Sequence, residues 1–435
     1  MRATRPLYRP LTVLVVFVAC LAGMVRAAPP AKDKDQPLRD RALQLNEITG
    51  QGPMVGQLVA LLDDKEGAKK LLKVAHKMAQ DGDKEKGKDP VFNINAAFIL
   101  ARAAQAFKEA EIGEYFYRQY AKQALKLGSG QKLVQAYTGL IEVLVQAKKF
   151  KDAEDVCKEL LEGAGNRATK MLALRQMIEV LSKKGQPDEA LKLLDRQIKL
   201  TDDRLATDPD AIVERIRLRD LKGRVLREAG KYSESARTWE DLLEILAKDK
   251  DLREGPKELL SDEIRYRLSG VYVDLKQIDK ATKHLERLLA KEKNNPTYNN
   301  DLGFILADND MRLEEAEKLI RKALDEDRKI RRKALPDIKP EQDKDNAAYL
   351  DSLGWVLYKR KKYKEALPPL LEAVKQEEGE HVEIYDHIGD VYLALGEKDK
   401  AIEAWQKGIK CAPVSKRDEQ RKRDVEKKIK KLQDK

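Results

Sequence analysis

Cysteine and histidine are both scarce in this chain, three and four residues respectively out of 435. No pair of histidines has H-x-x-x-H spacing and none joins a cysteine cluster, which excludes the usual zinc-ligand patterns. His381, Glu383 and His387 come nearest, but helical spacing turns the two imidazoles to different faces, so no metal is expected. Aromatic residues make up only 6% of the chain, and runs with strand alternation are nearly absent. The segment "GQGPMVG" beginning at Gly50 lacks G-x-G-x-x-G spacing, follows no strand and precedes no Lys-Ser/Thr pair, so it is not read as a phosphate loop. No serine, histidine and acid can be given the roles of a nucleophilic triad. The chain is therefore read as a non-enzyme with no cofactor.

What is abundant is charge, at 37%, beside 42% hydrophobic residues. That balance suits amphipathic helices with ion-paired outer faces. The net charge of +11 sits at the ends. The first 27 residues hold four arginines and no acid, and 414–435 holds ten Lys or Arg against five Asp or Glu. The body between them is close to neutral, which argues against nucleic acid as a partner, since phosphate binding needs a concentrated basic face. Cys157 and Cys411 both fall on apolar helix positions and are expected to be buried, reduced thiols.

Arg2, Arg5 and Arg9, then an apolar run from Leu11 to Ala22, then small residues at Val25 and Ala27 have the order of a secretory signal. Cleavage is expected after Ala27, with 28–37 as a linker and the periplasm or cell envelope as the destination. An uncleaved anchor is disfavoured because the run is short of the ~20 residues that span a bilayer. "FVAC" ending at Cys20 is a partial lipobox, so attachment to the membrane through a lipidated Cys20 stays open.

Two segments near the C-terminus superpose without gaps, "AAYLDSLGWVLYKRKKYKEALPPLLEAV" from Ala347 and "VEIYDHIGDVYLALGEKDKAIEAWQKGI" from Val382, 35 residues apart. Each has an apolar residue then Gly (Gly354, Gly389), an apolar or aromatic residue three further on (Leu357, Tyr392), then Ala (Ala366, Ala401) and a large side chain (Leu370, Trp405). A small residue is needed on each of two antiparallel helices that approach closely, so Gly354 is expected to face Ala366 and Gly389 to face Ala401. The same template finds earlier units starting at Val134, Met171, Ile216, Asp262 and Pro296.

The pattern resembles the tetratricopeptide repeat (TPR) and, with the leader, an exported bacterial protein of that family. The resemblance implies an all-α, right-handed superhelical solenoid of antiparallel helix pairs, with about seven repeats over 134–413. Residues 38–133 are an N-terminal helical region, holding a degenerate pair between Asn93 and Leu127 and two capping helices. In the first two repeats Ile141 and Ile178 replace the small residue, so those pairs should lie further apart. Pro368 and Pro369 should make the second helix of the sixth repeat begin late or bend. Three polar insertions, "TDDRLATDPD", "KDKDLREGP" and "DEDRKIRRKALPDIKPEQDKD", should form turns between repeats, although "RKIRRKAL" has the makings of a helical extension. Residues 414–435 form a basic tail, read either as a solvent-facing capping helix or as a contact for anionic polymer or lipid headgroups.

The same resemblance implies a protein or peptide partner lying on the concave face lined by the first helix of each pair. Counting inward positions gives Arg175 and Lys183, then Arg217, Arg224 and Arg227, then Tyr266, Phe304, Trp355 and Tyr358, and finally Asp351, Glu383, Asp386 and Asp390. This is a channel that runs from basic through aromatic to acidic. Whether its aromatics bind a partner or pack between neighbouring helices is left open by the sequence.

Overall fold

The computed structural model describes residues 35–434 apart from 86–88, 164–165, 206, 209–210, 251, 340–341, 377–378 and 414. Cys20, the Ala27 cleavage site and the linker up to residue 34 lie outside the described residues. Those residues fall into two compact units, with the chain dividing between Arg215 and Ile216.

The first unit opens with α1 (Gln36–Gln44), a short 3-10 turn, α2 (Gln51–Asp63) and α3 (Lys65–Asp83). These are three helices where two were expected. An asparagine pair fastens them to the first helix pair. Asn46 accepts from the Asn93 backbone N–H at 2.8 Å and donates to the Val91 carbonyl at 2.9 Å, while the Asn93 amide donates to the Asn46 carbonyl at 2.7 Å. Helix pairs follow: α4 (Ile94–Ala106) with α5 (Ala110–Lys126), α6 (Gly130–Gln146) with α7 (Phe150–Gly163), and α8 (Arg167–Lys183) with α9 (Pro187–Leu205). The next helix, α10 (Ala211–Glu228), carries the division between the units and pairs with α11 (Tyr232–Lys248). In the second unit come α12 (Glu254–Asp274) with α13 (Ile278–Lys291), α14 (Pro296–Asp308) with α15 (Leu313–Ala334), α16 (Ala347–Lys359) with α17 (Tyr363–Ala373), and α18 (Val382–Ala394) with α19 (Lys398–Lys410). The last helix is α20 (Lys416–Gln433). Among the described residues there is no strand, and no helix is long and apolar enough to cross a membrane.

All eight turns inside these pairs are closed in one way. The carbonyls of Ala104, Leu144, Leu181, Leu226, Tyr272, Leu306, Leu357 and Tyr392 each accept from the N–H five residues on, at 2.8 to 2.9 Å. The residue just before that N–H has positive φ: glycine at Gly185, Gly230 and Gly396, but Lys108, Lys148, Lys276, Asp310 and Lys361 elsewhere. This is a Schellman closure, and it fixes where each helix reverses. Seven of its acceptors are the residues the repeat template marks three positions after the small one.

The close approaches differ in part from expectation. A side chain on Gly354 would meet Leu370, and one on Gly389 would meet the Trp405 indole. The glycine therefore makes room for the large residue of the second helix rather than for its alanine. Gly223 likewise lies under Trp239, with the buried Ser235 hydroxyl donating to the Gly223 carbonyl at 2.7 Å. Gly303 meets both Ile320 and the Ala316 backbone. In the first unit Gly139 makes a close approach, receiving the ring of Tyr117 from the preceding pair. With Ile141 and Ile178 at the crossing, α6 and α7, and α8 and α9, pack less extensively than α14 with α15 or α18 with α19.

The insertions are more helical than their polarity suggests. "TDDRL" continues α9 to Leu205, and "RKIRRKA" continues α15 to Ala334, where Arg328, Arg331 and Arg332 hold the following loop through Asp343 and Asp345 at 2.5 to 2.7 Å. The end of the second insertion lengthens α12, which starts at Glu254. Helix α17 does not begin late. It contains both Pro368 and Pro369 and, at 11 residues, is the shortest second helix.

Candidate functional site

In the second unit each first helix is tied to the next by a bond that ends on an aspartate. Arg267 of α12 reaches Asp220 of α10 at 3.2 Å, and Arg227 of α10 reaches Asp274 of α12 at 2.8 Å. Tyr266 of α12 donates to Asp301 of α14 at 2.6 Å. The Trp355 indole of α16 donates to Asp308 of α14 at 3.1 Å, and Lys359 reaches Asp310 in the turn after α14 at 2.8 Å. His387 of α18 shares a 2.8 Å hydrogen bond with Asp351 of α16. Finally Lys428 of α20 bonds Asp386 and Asp390 of α18 at 2.6 and 2.7 Å, while Arg421 bonds Glu383 and Asp386 at 2.5 and 3.2 Å.

The electrostatics follow from burial and from these partners. Burial pushes the Asp301 carboxyl up from the ordinary carboxylate range despite the Tyr266 hydroxyl, and burial with the Asp301 charge pushes that phenol up as well. For His387 burial alone would lower the imidazole, but the Asp351 carboxylate outweighs it and the net direction is up. Burial and the neighbouring Asp386 raise Asp390 even with Lys428 on it.

This geometry corrects the polarised channel read from the sequence. Arg224 pairs with Asp220 on its own helix at 3.4 Å, Arg227 is engaged with Asp274, and of the predicted basic residues on α10 Arg217 is the exposed one. Arg175 and Lys183 belong to the first unit. The predicted acids are not open acceptors either: Asp351 and Asp386 are buried, and Glu383, Asp386 and Asp390 are covered by cations of α20. Desolvated charges must be paired where they stand, so these positions serve helix-to-helix contact. Tyr266 does the same through Asp301 and its ring contact with Tyr298.

The aromatic middle remains. Phe304, Trp355 and Tyr358 are half-buried on α14 and α16. Trp355 stacks on Tyr358 (5.0 Å, 12°) and on His387 (4.1 Å, 15°), and Lys359 lies over its ring at 5.4 Å. Exposed Asp308 and Asp310 border this patch. His381 and His387 do face apart: His381 caps α18 and approaches Asp418 of α20, whereas His387 turns to Asp351. The partners that sequence reasoning missed are Asp301, Asp308, Arg421 and Lys428. For the last two a signal exists, since they flank Val425 and Ile429 at helical spacing.

Comparison with known proteins adds the following. A family model described as regulator of microtubule dynamics protein 1-3 matches residues 358–433, and one for the PPR repeat matches 135–163 and 175–196. No curated protein matches the chain. Among solved structures it is similar to a tetratricopeptide repeat protein from Parabacteroides merdae, 12% identical over 67% of this chain and 98% of that one, with a TM-score of 0.45. It is also similar to the apo form of the quorum sensor NprR from B. thuringiensis, 14% identical over 87% of this chain and 99% of that one, with a TM-score of 0.45. A thermophilic TPR protein from Thermus thermophilus is 18% identical over 48% of this chain and 98% of that one, with a TM-score of 0.35.

Proposed function

From the premise that the chain is a TPR-like repeat protein, all-α and built of helix pairs, we propose that it is a non-enzymatic protein–protein interaction scaffold of the periplasm or cell envelope. Its partner is a peptide segment laid across the first helices of the second unit. One observation carries this reading: Phe304, Trp355 and Tyr358 keep exposed surface on two consecutive first helices while the polar groups around them are committed to neighbouring helices. Half-exposed, pre-positioned aromatics are what binding anchors are made of.

The test is affinity capture from an envelope extract with quantitative mass spectrometry. Phe304→Ala and Tyr358→Ala should each lose the wild-type partner, by about 2 kcal/mol or more at a true anchor. Arg217→Ala should retain it, and circular dichroism must show all three folded. Retention by both aromatic variants would reject the aromatic face.

Export is proposed from the leader. Intact-mass measurement from a native host should give a chain beginning at Ala28, and an unprocessed or lipid-modified mass would remove the soluble assignment. The competing reading is an envelope-attached structural component held by a lipidated Cys20 or by the basic tail. Partition of the mature protein into the membrane fraction would favour it. Engagement of Arg421 and Lys428 on α18 leaves less of that tail for an anionic surface.

A further inference from the structure

The seat occupied by α20 has two parts. Its floor is Ala401 and Trp405 of α19, against which Val425 and Ile429 are buried and Leu432 rests. Its wall is one face of α18, where Glu383, Asp386 and Asp390 recur at three- and four-residue spacing. Among the described residues, the cations bonded to these acids are Arg421 and Lys428, both from α20. Lys428 also lies over the Trp405 ring at 5.7 Å.

The occupant is held differently from the other helices. Of its 18 residues only Val425, Ile429 and Leu432 are apolar, so it brings little surface to the core. Even with good helix formers, a helix of this length is marginal alone in water and depends on what it packs against. It carries its own capping box, in which the Ser415 hydroxyl accepts from the Asp418 N–H at 3.1 Å and the Asp418 carboxylate accepts from the Ser415 N–H at 3.0 Å. The rest of its fastening combines that narrow apolar strip with ion pairs, and salt weakens ionic contacts more than apolar ones.

An apolar floor beside acids whose cations arrive from a separate helix is a receptor for a cationic amphipathic helix. We propose that α20 is a displaceable occupant carried in cis: the α18–α19 end is a docking site for a basic amphipathic helix of a partner protein, and α20 fills it until that helix replaces it. The recognised pattern is the one α20 displays, an arginine followed by an apolar residue four on, a lysine seven on and a second apolar residue eight on. The seat adjoins the aromatic patch at Tyr358, but the inference uses none of the patch's exposed aromatics, so it stands or falls independently of the function proposed above.

The probe is a labelled peptide of residues 414–435 with the natural sequence, titrated against the full chain by fluorescence anisotropy at about 0.05 M and about 0.5 M salt. In a chain carrying R421E and K428E, α20 is repelled by the acids and the seat opens. That chain should bind the peptide at least ~10-fold more tightly than wild type, with affinity falling as salt rises, and neither chain should bind a peptide bearing the same reversals. No binding by the reversed chain, while circular dichroism shows it folded, overturns the proposal; so does undiminished binding after D386N and D390N are added. If the reversed chain does not fold, hydrogen exchange on wild type decides. Amides of 416–433 must exchange faster than those of α18 and α19 and gain further with salt, and equal protection at both salts makes α20 a permanent cap. A concentration-dependent dimer of wild type would give the seat to a second copy and overturn the partner assignment.

Discussion

Asp351 and His387 meet across α16 and α18 at 2.8 Å with both side chains buried, and the Trp355 indole lies flat against the imidazole at 4.1 Å. Three of the groups lining the first helices thus form one contact, and its stability depends on a proton.

The charged groups acting on His387 include Asp351 of α16, Glu383 and Asp390 of α18 and Arg421 of α20, and the net effect is a folded pKa above the ordinary 6.5. A raised imidazole means that folding takes up a proton. Its contribution is complete below about pH 6.5 and is lost as pH rises through the folded value. The thermal midpoint of the second unit should therefore fall as pH rises above about 6.5, and His387→Gln should flatten that slope. Asp351→Ala, which strands the partner, should cost about 3–5 kcal/mol. A wild-type midpoint independent of pH over this range would show that the proton is not linked to folding.

Gly389 lies where any Cβ would press into the Trp405 indole. Gly389→Leu should overpack the crossing and cost about 1–3 kcal/mol in chemical denaturation. Asp399→Ala, exposed at the start of α19, should stay within about 0.5 kcal/mol of wild type. Equal stability of the two variants would mean that the close approach is not tight.

The eight reversal turns allow a paired test. Lys276 holds φ at 59° and Gly230 at 78° in equivalent places. Lys276→Gly should stabilise by up to about 1 kcal/mol, because glycine carries no penalty there. Gly230→Ala should destabilise by about 1 kcal/mol for the opposite reason. Thermal melts of both variants read the signs, and like signs would contradict the shared turn.

The two described cysteines should be told apart by alkylation. Cys157 is fully buried and burial pushes its thiol up to about 12, so iodoacetamide at neutral pH should leave it unmodified until the chain unfolds. Cys411 is half-buried just past α19 and should be labelled in the native state. This departs from the expectation of two buried thiols: Cys411 continues the apolar spacing of α19 but stands at its C-cap, where the chain leaves the core. Peptide mapping after a timed pulse reads both sites.

The helix pairs were legible in sequence because Gly354, Gly389, Gly223 and Gly303, and the large residues beneath them, obey a short-range spacing. The turn closures were legible indirectly, since their carbonyls belong to template residues such as Leu357 and Tyr392. What periodicity conceals is direction. It places Asp351, Asp386 and Trp355 on the same face of successive helices, but not whether that face meets solvent or the next helix. The answer depends on residues 35 to 47 positions away, among them Asp301, Asp308 and His387, and no local pattern specifies them. The helical extension open to "RKIRRKAL" is realised because Arg328, Arg331 and Arg332 find acids beyond the helix they lengthen.

The aspartate-terminated bonds between first helices make the order of the repeats part of the design. Each link in the second unit pairs different chemistry: a guanidinium on Asp220, a phenol on Asp301, an indole on Asp308, an imidazole on Asp351, an ammonium on Asp386. Exchanging two neighbouring modules would keep the glycine crossings and every reversal turn, yet leave acids facing groups that cannot donate to them. The repeats of the second unit are thus keyed to their neighbours, so this part of the array cannot be shuffled without stranding its acids.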